Sequence, residues 1–133
     1  MTAIDDDAQQ LRFAVELPKT NEVIGDVSMW CSPGDRLQAE IGYVVNPWFH
    51  GRGYATEAVT ELLRIGFEEA GLHRITANAD ARNVASIRVM ERVGMRREAQ
   101  FVQGANEKGE WVDEVEYAIL ADEWLTREAD AAG

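Results

Sequence analysis

A chain of 133 residues, 46% hydrophobic and 28% charged, is long enough to bury one core and short for two ordinary domains. The formal net charge of −11 excludes a basic surface of the kind that grips nucleic acid or an anionic membrane, and no apolar run approaches the ~18 residues that span a bilayer. A lone cysteine, Cys31, excludes an internal disulfide framework and fits a reducing, cytoplasmic setting.

Residues 1–10, with Asp5-Asp6-Asp7, read as a flexible acidic lead-in rather than a signal peptide. The folded domain is expected over 11–126, followed by a tail at 127–133. Leu11, Phe13, Val15 and Leu17 alternate with polar or small residues, which predicts a half-buried strand. The turn Pro18–Asn21 and a second strand, Val23–Trp30, complete a hairpin. Ser32-Pro33-Gly34-Asp35 turns the chain into a third strand marked by Ala39, Ile41, Tyr43 and Val45, which Asn46-Pro47 stops.

The period then changes. Ala55, Ala58, Val59, Leu62, Leu63 and Phe67 form one apolar stripe at helical spacing over about 53–70, with Gly71 as the helix stop. A strand follows over His73–Asp80, then a helix from the N-cap Asn83 to about Val93, ended by Gly94. Strands at about 96–103 and 112–120 flank the polar turn Gly104–Gly109. The hairpins imply antiparallel pairing, and the strand–helix–strand step implies a right-handed crossover. The expectation is one α/β (α+β) domain, a mixed and mostly antiparallel twisted sheet with flanking helices.

Charge divides unevenly along this order. His50–Arg97 carries eight arginines against six acids, whereas the remainder carries five basic residues against eighteen acids. An anionic ligand is favoured in the middle of the chain and a cationic one elsewhere, although most such charges lie on solvated faces.

The segment from Asn46 to Glu57 leads from a strand through a glycine-containing turn into a helix. Such a turn aims free backbone N–H groups and the positive end of the helix dipole at one spot, and Gly51 and Gly53 keep side chains out of the way. By itself the turn is as readily a tight connection as a phosphate site. It is neither a Walker A loop nor a dinucleotide fingerprint.

His50-x-x-Gly53-x-Ala55, then Asn83-Val84-Ala85-Ser86 with its helix and Gly94-Met95, resembles the GNAT acetyltransferases, in particular the branch containing the RimJ/RimL-type enzymes. His50 stands where that family's loop has Gln or Arg, and Met95 where it has Phe. Leu72–Ile75, Glu98, Trp111–Ala118 and Glu123-Trp124 are similar to the same branch, so the likeness runs from about residue 11 to 125. It implies a GNAT-like sheet with a splayed pair of parallel strands that receives acetyl-CoA. Val44 and Val45 would pair with the pantetheine arm, and the amides of His50, Gly51, Arg52, Gly53, Tyr54 and Ala55 would hold the pyrophosphate. Asn83 and Ser86 would lie beside the thioester. Arg88 or Arg92 would meet nucleotide phosphates, unless each is simply a solvated helix residue.

Acetyl transfer needs a deprotonated amine and a proton for the leaving thiolate. Glu40, on the splayed strand, is the first candidate base, against the alternative of a surface glutamate; Asp26 and Glu116 are weaker ones. Ser86 is the candidate acid, against a role as a helix cap, with Tyr117 as acid or core. His50, His73 and Cys31 lack metal-ligand spacing, so no metal is expected. The chain begins without the strand and helices that usually wall the family's acceptor pocket, which leaves the amine open: a protein N-terminus or a small-molecule amine. An uncovered strand at Leu11–Leu17 is an edge that invites pairing, hence a homodimer. The alternatives are a weak acyl-CoA-binding or regulatory module, or a truncated relic.

Overall fold

Among the described residues seven strands form one sheet: β1 (Thr2–Asp5), β2 (Gln10–Glu16), β3 (Val23–Cys31), β4 (Gln38–Val45), β5 (Arg74–Asp80), β6 (Arg96–Glu107) and β7 (Glu110–Leu120), in the order β1-β2-β3-β4-β5-β7-β6. The structure is a computed structural model and describes residues 2–5, 10–31 and 37–132. Every neighbouring pair is antiparallel except β4–β5, which the crossover through α1 (Tyr54–Arg64) makes parallel. The other helices are α2 (Val84–Arg92) and α3 (Ala121–Ala132).

Alternation decides which sheet face is covered. Ala39, Ile41 and Val45 of β4 are buried, whereas Glu40 and Gly42 between them are only partly so. The stripe Ala58, Val59, Leu62 and Leu63 of α1 packs into one cluster with Val27, Met29, Ile41, Ile75, Ala77, Val115 and Ile119. Burying each large aliphatic side chain of this cluster contributes about 1.5–3 kcal/mol. The helix continues past Arg64 as a π-helical turn, Ile65–Glu69. Gly66 lets that turn lie against the sheet: a Cβ there would stand 2.7 Å from Ile75 Cδ1.

Three expectations need correction. Residues 1–10 are not all lead-in, because β1 pairs with β2 through Thr2↔Ala14 and Ala3↔Phe13. Four residues are too few to show a period, and backbone hydrogen bonding rather than side-chain pattern makes the strand. The β2 edge is therefore occupied, and the open-edge argument for a homodimer no longer applies. The last hairpin is also longer than expected. β6 runs on to Glu107 and the turn falls at Lys108-Gly109, whose φ values of 52° and 86° suit a tight two-residue loop. A register shift between Phe101 and Ala105 absorbs the surplus residues, so Gly104 sits in a bulge instead of opening the turn.

The tail is the third. Residues 127–132 continue α3, which is anchored by Trp124 at 1% exposure. The indole lies 6.1 Å from the Phe67 ring and donates to Glu68 Oε2 at 3.0 Å. Arg127 donates to the carbonyls of Val93 (2.7 Å) and Arg92 (2.8 Å), and so caps the end of α2 and complements its dipole. Trp124→Ala is expected to cost about 3–5 kcal/mol. Urea unfolding followed by circular dichroism should show the midpoint falling with an unchanged slope.

Candidate active site

The site begins where one strand pairing stops. β4 and β5 are in register from Gln38↔Arg74 to Ile41↔Ala77 and no further, although β4 runs on to Val45 and β5 to Asp80. Past that point each strand keeps only its outer neighbour: Gly42–Val45 pair with Gly25–Ser28 of β3, and Asn78–Asp80 with Glu114–Glu116 of β7. Among the described residues no strand lies opposite the inner edge of Gly42–Val45, so backbone groups there face an opening.

The chain then builds a positive end to this opening. Asn46 Oδ1 accepts from the Trp48 amide at 2.9 Å and starts a 3₁₀ turn over Pro47–Phe49. His50 Nε2 lies 2.7 Å from the Val45 carbonyl, which ties the loop back to the strand end. Gly51 and Gly53 adopt φ of 79° and 82°. A Cβ at either would meet nothing within 4 Å, so backbone conformation, not space, requires glycine there. No side chain caps α1, and Glu57 is the first amide to find a helical acceptor, the Gly53 carbonyl at 2.9 Å. The N–H groups of Tyr54, Ala55 and Thr56 precede it and remain for a ligand, at the positive end of the helix.

Opposite stands α2. Asn83 Oδ1 accepts from the Ser86 amide at 3.0 Å and fixes the start of that helix. Arg88 and Arg92, one turn apart, face the same space. The result is a cleft of about 510 Å³, within the size range of small-molecule sites.

Val44, Val45, His50, Gly51, Gly53, Tyr54, Ala55, Asn83, Ser86, Arg88 and Arg92 all line this cleft. Arg52 does not: its guanidinium lies 5.7 Å over the Phe49 ring. The His50 imidazole is occupied by the Val45 carbonyl, so it holds the loop's shape.

Glu40 stands on the sheet face away from α1, outside the cleft wall. Asn78 Nδ2 donates to its Oε1 at 2.6 Å. Burial, then the neighbouring charges of Glu114 and Glu116, push its carboxyl above the usual range, and a hydrogen bond from Trp30 works against the rise. Asp26 is ion-paired with Arg12 at 3.2 Å. Tyr117 is 2% exposed and donates to Glu91 at 3.0 Å, a core role. Among the described residues no group of three or more His, Cys, Asp or Glu is placed to hold a metal.

Two neighbours escaped the sequence reading. Alternation assigns Tyr43 to the core, yet its hydroxyl lines the cleft and meets Ser86 Oγ at 2.9 Å. The available signal was chemical, since a tyrosine near the end of a strand needs a partner for its hydroxyl. Trp30 is directly across from Glu40 in the β3–β4 register, which no sequence period reveals.

Comparison with known proteins agrees with this geometry. Residues 1–96 match the family described as the acetyltransferase (GNAT) domain. The chain is 42% identical over 113 residues to the uncharacterized N-acetyltransferase YnaD of Bacillus subtilis, covering 85% of this chain and 66% of that one. A crystal structure of a GNAT-family acetyltransferase from Bacillus anthracis superposes with a TM-score of 0.78 at 41% identity, again covering 84% of this chain and 66% of that one. A mutant of the spermidine N-acetyltransferase SpeG from Vibrio cholerae superposes with a TM-score of 0.81 at 26% identity, covering 92% of this chain and 72% of that one. The chain thus spans 66% of the length of both Bacillus relatives. Gly53→Asp puts a carboxylate and an unfavourable φ where anions are favoured, and calorimetry should show coenzyme A affinity falling at least about tenfold with the circular-dichroism spectrum unchanged.

Proposed function

This chain belongs to the GNAT acetyltransferase family, and we propose that it moves an acetyl group from acetyl-CoA to a primary amine by direct attack. The splayed β4–β5 opening with the glycine loop at its end carries this reading. Its parts fit the donor in order. The amides of the glycine loop and the first turn of α1 suit a pyrophosphate, and the edge at Val44 and Val45, which no strand pairs although His50 holds the Val45 carbonyl, suits the amide-bearing pantetheine arm. Asn83 and Ser86 then flank the thioester, and Arg88 and Arg92 supply charge for the nucleotide phosphates.

Glu40 is the proposed base. It lies on β4 level with the last paired residues, on the face opposite the cleft wall, where an amine can approach from the far side of the sheet. A carboxyl held above its usual range is better matched to drawing a proton from an ammonium than an ordinary surface glutamate. Asn78 and Trp30 orient it. Ser86 supplies the hydroxyl on the sulfur side. Because chemistry is direct attack, no covalent enzyme intermediate is involved.

The acceptor is proposed to be a cationic small-molecule amine, a polyamine first. Three acids converge at Glu40, Glu114 and Glu116, and the surplus of acids lies outside the arginine-rich middle of the chain. The spermidine N-acetyltransferase among the structural neighbours supports the same choice. Purified protein mixed with acetyl-CoA and a panel of amines, with free thiol as the readout, is expected to turn over spermidine faster than a neutral or acidic amine. Coenzyme A binding with no thiol release from any amine would instead favour an acyl-CoA-binding module.

Glu40→Gln is expected to lower kcat/KM by about 10²-fold or more. The sign of the pH effect follows from the base needing its charge. Activity falls as pH drops through the Glu40 pKa, and that limb lies above the ordinary glutamate value because the pKa is raised. Glu114→Gln removes the largest repulsive charge and should move the limb to lower pH.

A further inference from the structure

Tyr43 is two residues past the last β4–β5 pair, and its side chain reaches across the opening to the first turn of α2. Its hydroxyl donates to the Ser86 carbonyl at 2.9 Å and accepts from Ser86 Oγ, also at 2.9 Å. Both residues line the cleft. The two hydroxyls therefore form one unit, built from residues 43 positions apart in the chain.

We infer that Tyr43 is the source of the proton that reaches the CoA sulfur as the thioester breaks, with Ser86 as the relay. The inference rests on the acetyl-transfer reading of the same cleft. When the C–S bond breaks, its electron pair stays on sulfur. Ser86 Oγ–H gives its proton to that sulfur, forming S–H, while the Tyr43 O–H proton passes to Ser86 Oγ. Tyr43 is left as a phenolate and is refilled through solvent by the proton that the attacking amine has lost. Nothing is oxidised or reduced. Two hydroxyl rotations set up the relay, each about one bond: the Ser86 O–H turns from the Tyr43 oxygen to the sulfur, and the Tyr43 O–H turns from the Ser86 carbonyl to Ser86 Oγ.

Acidity decides why the tyrosine is needed. A serine hydroxyl is a much weaker acid than a phenol, whose pKa is about 10, while a thiol titrates near about 8.5. Serine alone would give up its proton steeply uphill; backed by a phenol, the transfer nears balance. Burial raises Tyr43 further, against a smaller lowering by Ser86, so the phenol is fully protonated when the reaction begins.

The competing role is a clasp that merely holds α2 to β4, and kinetics on Tyr43→Phe, Ser86→Ala and the double variant separate the two. With spermidine and saturating acetyl-CoA, each single variant is expected to lose about 10²-fold in kcat while acetyl-CoA affinity by calorimetry stays within about threefold. The double variant should be no slower than the slower single, because the pair acts as one device. A Tyr43→Phe enzyme within about twofold of wild type in kcat overturns the inference, as does an additive double variant or a loss confined to affinity. Should Tyr43→Phe not fold, 3-fluorotyrosine at position 43 keeps the hydrogen bonds and acidifies the phenol. The alkaline fall in kcat should then move to lower pH, and an unmoved limb overturns the inference. A wild-type protein that releases no thiol with any amine overturns the acetyl-transfer reading and this inference with it, which distinguishes that failure from a failure of Tyr43 alone.

Discussion

The parallel contact between β4 and β5 stops at Ile41↔Ala77, and the rest of the site depends on that stop. A strand with a neighbour on each side satisfies its own backbone. A strand abandoned on one side for four residues has peptide groups to spare, and in a water-exposed cleft they are available to a ligand with amides of its own. The outer neighbours β3 and β7 make the divergence sustainable, because each keeps its antiparallel ladder through the region where the inner pairing is lost. The core pins both sides: Ile41, Ile75 and Ala77 are buried beneath α1, so the strands cannot drift together or apart at the base of the opening.

Charge is arranged along the same axis. The glycine loop and α2 present amides and arginines at one end, where a polyanionic donor would lie. Glu40, Glu114 and Glu116 gather on the other face of the sheet. A negatively charged protein thereby carries a cleft lined by arginines and backbone amides. Tyr43 and Ser86 bridge the gap between β4 and α2, at the junction of these two environments.

Much of this was legible because periodicity and turn chemistry are local. The strand ending at Val45, the glycine turn, the apolar stripe of α1 and the Asn83 cap all show themselves within a dozen residues. What escaped depends on partners distant in sequence. β1 is a strand only because β2 is available to pair with it. α3 holds through Trp124 against Phe67 and Arg127 against α2, whereas its own last turn reads in sequence only as a tail. Arg52 sits in the motif, yet an aromatic ring three residues earlier draws it away from the cleft. Tyr43 shares the buried-side alternation of Ile41 and Val45, and only its cross-chain hydrogen bonds set it apart.

The central claim is that this opening grips acetyl-CoA by its pyrophosphate and its pantetheine arm together. Calorimetric titration of the unaltered protein with acetyl-CoA and with S-acetylpantetheine, which lacks the nucleotide and pyrophosphate, tests it most directly. The expected result is acetyl-CoA binding near about 1 μM, equivalent to about −8 kcal/mol, with S-acetylpantetheine weaker by at least about a hundredfold. No detectable binding of acetyl-CoA, or equal binding of the two, would contradict it.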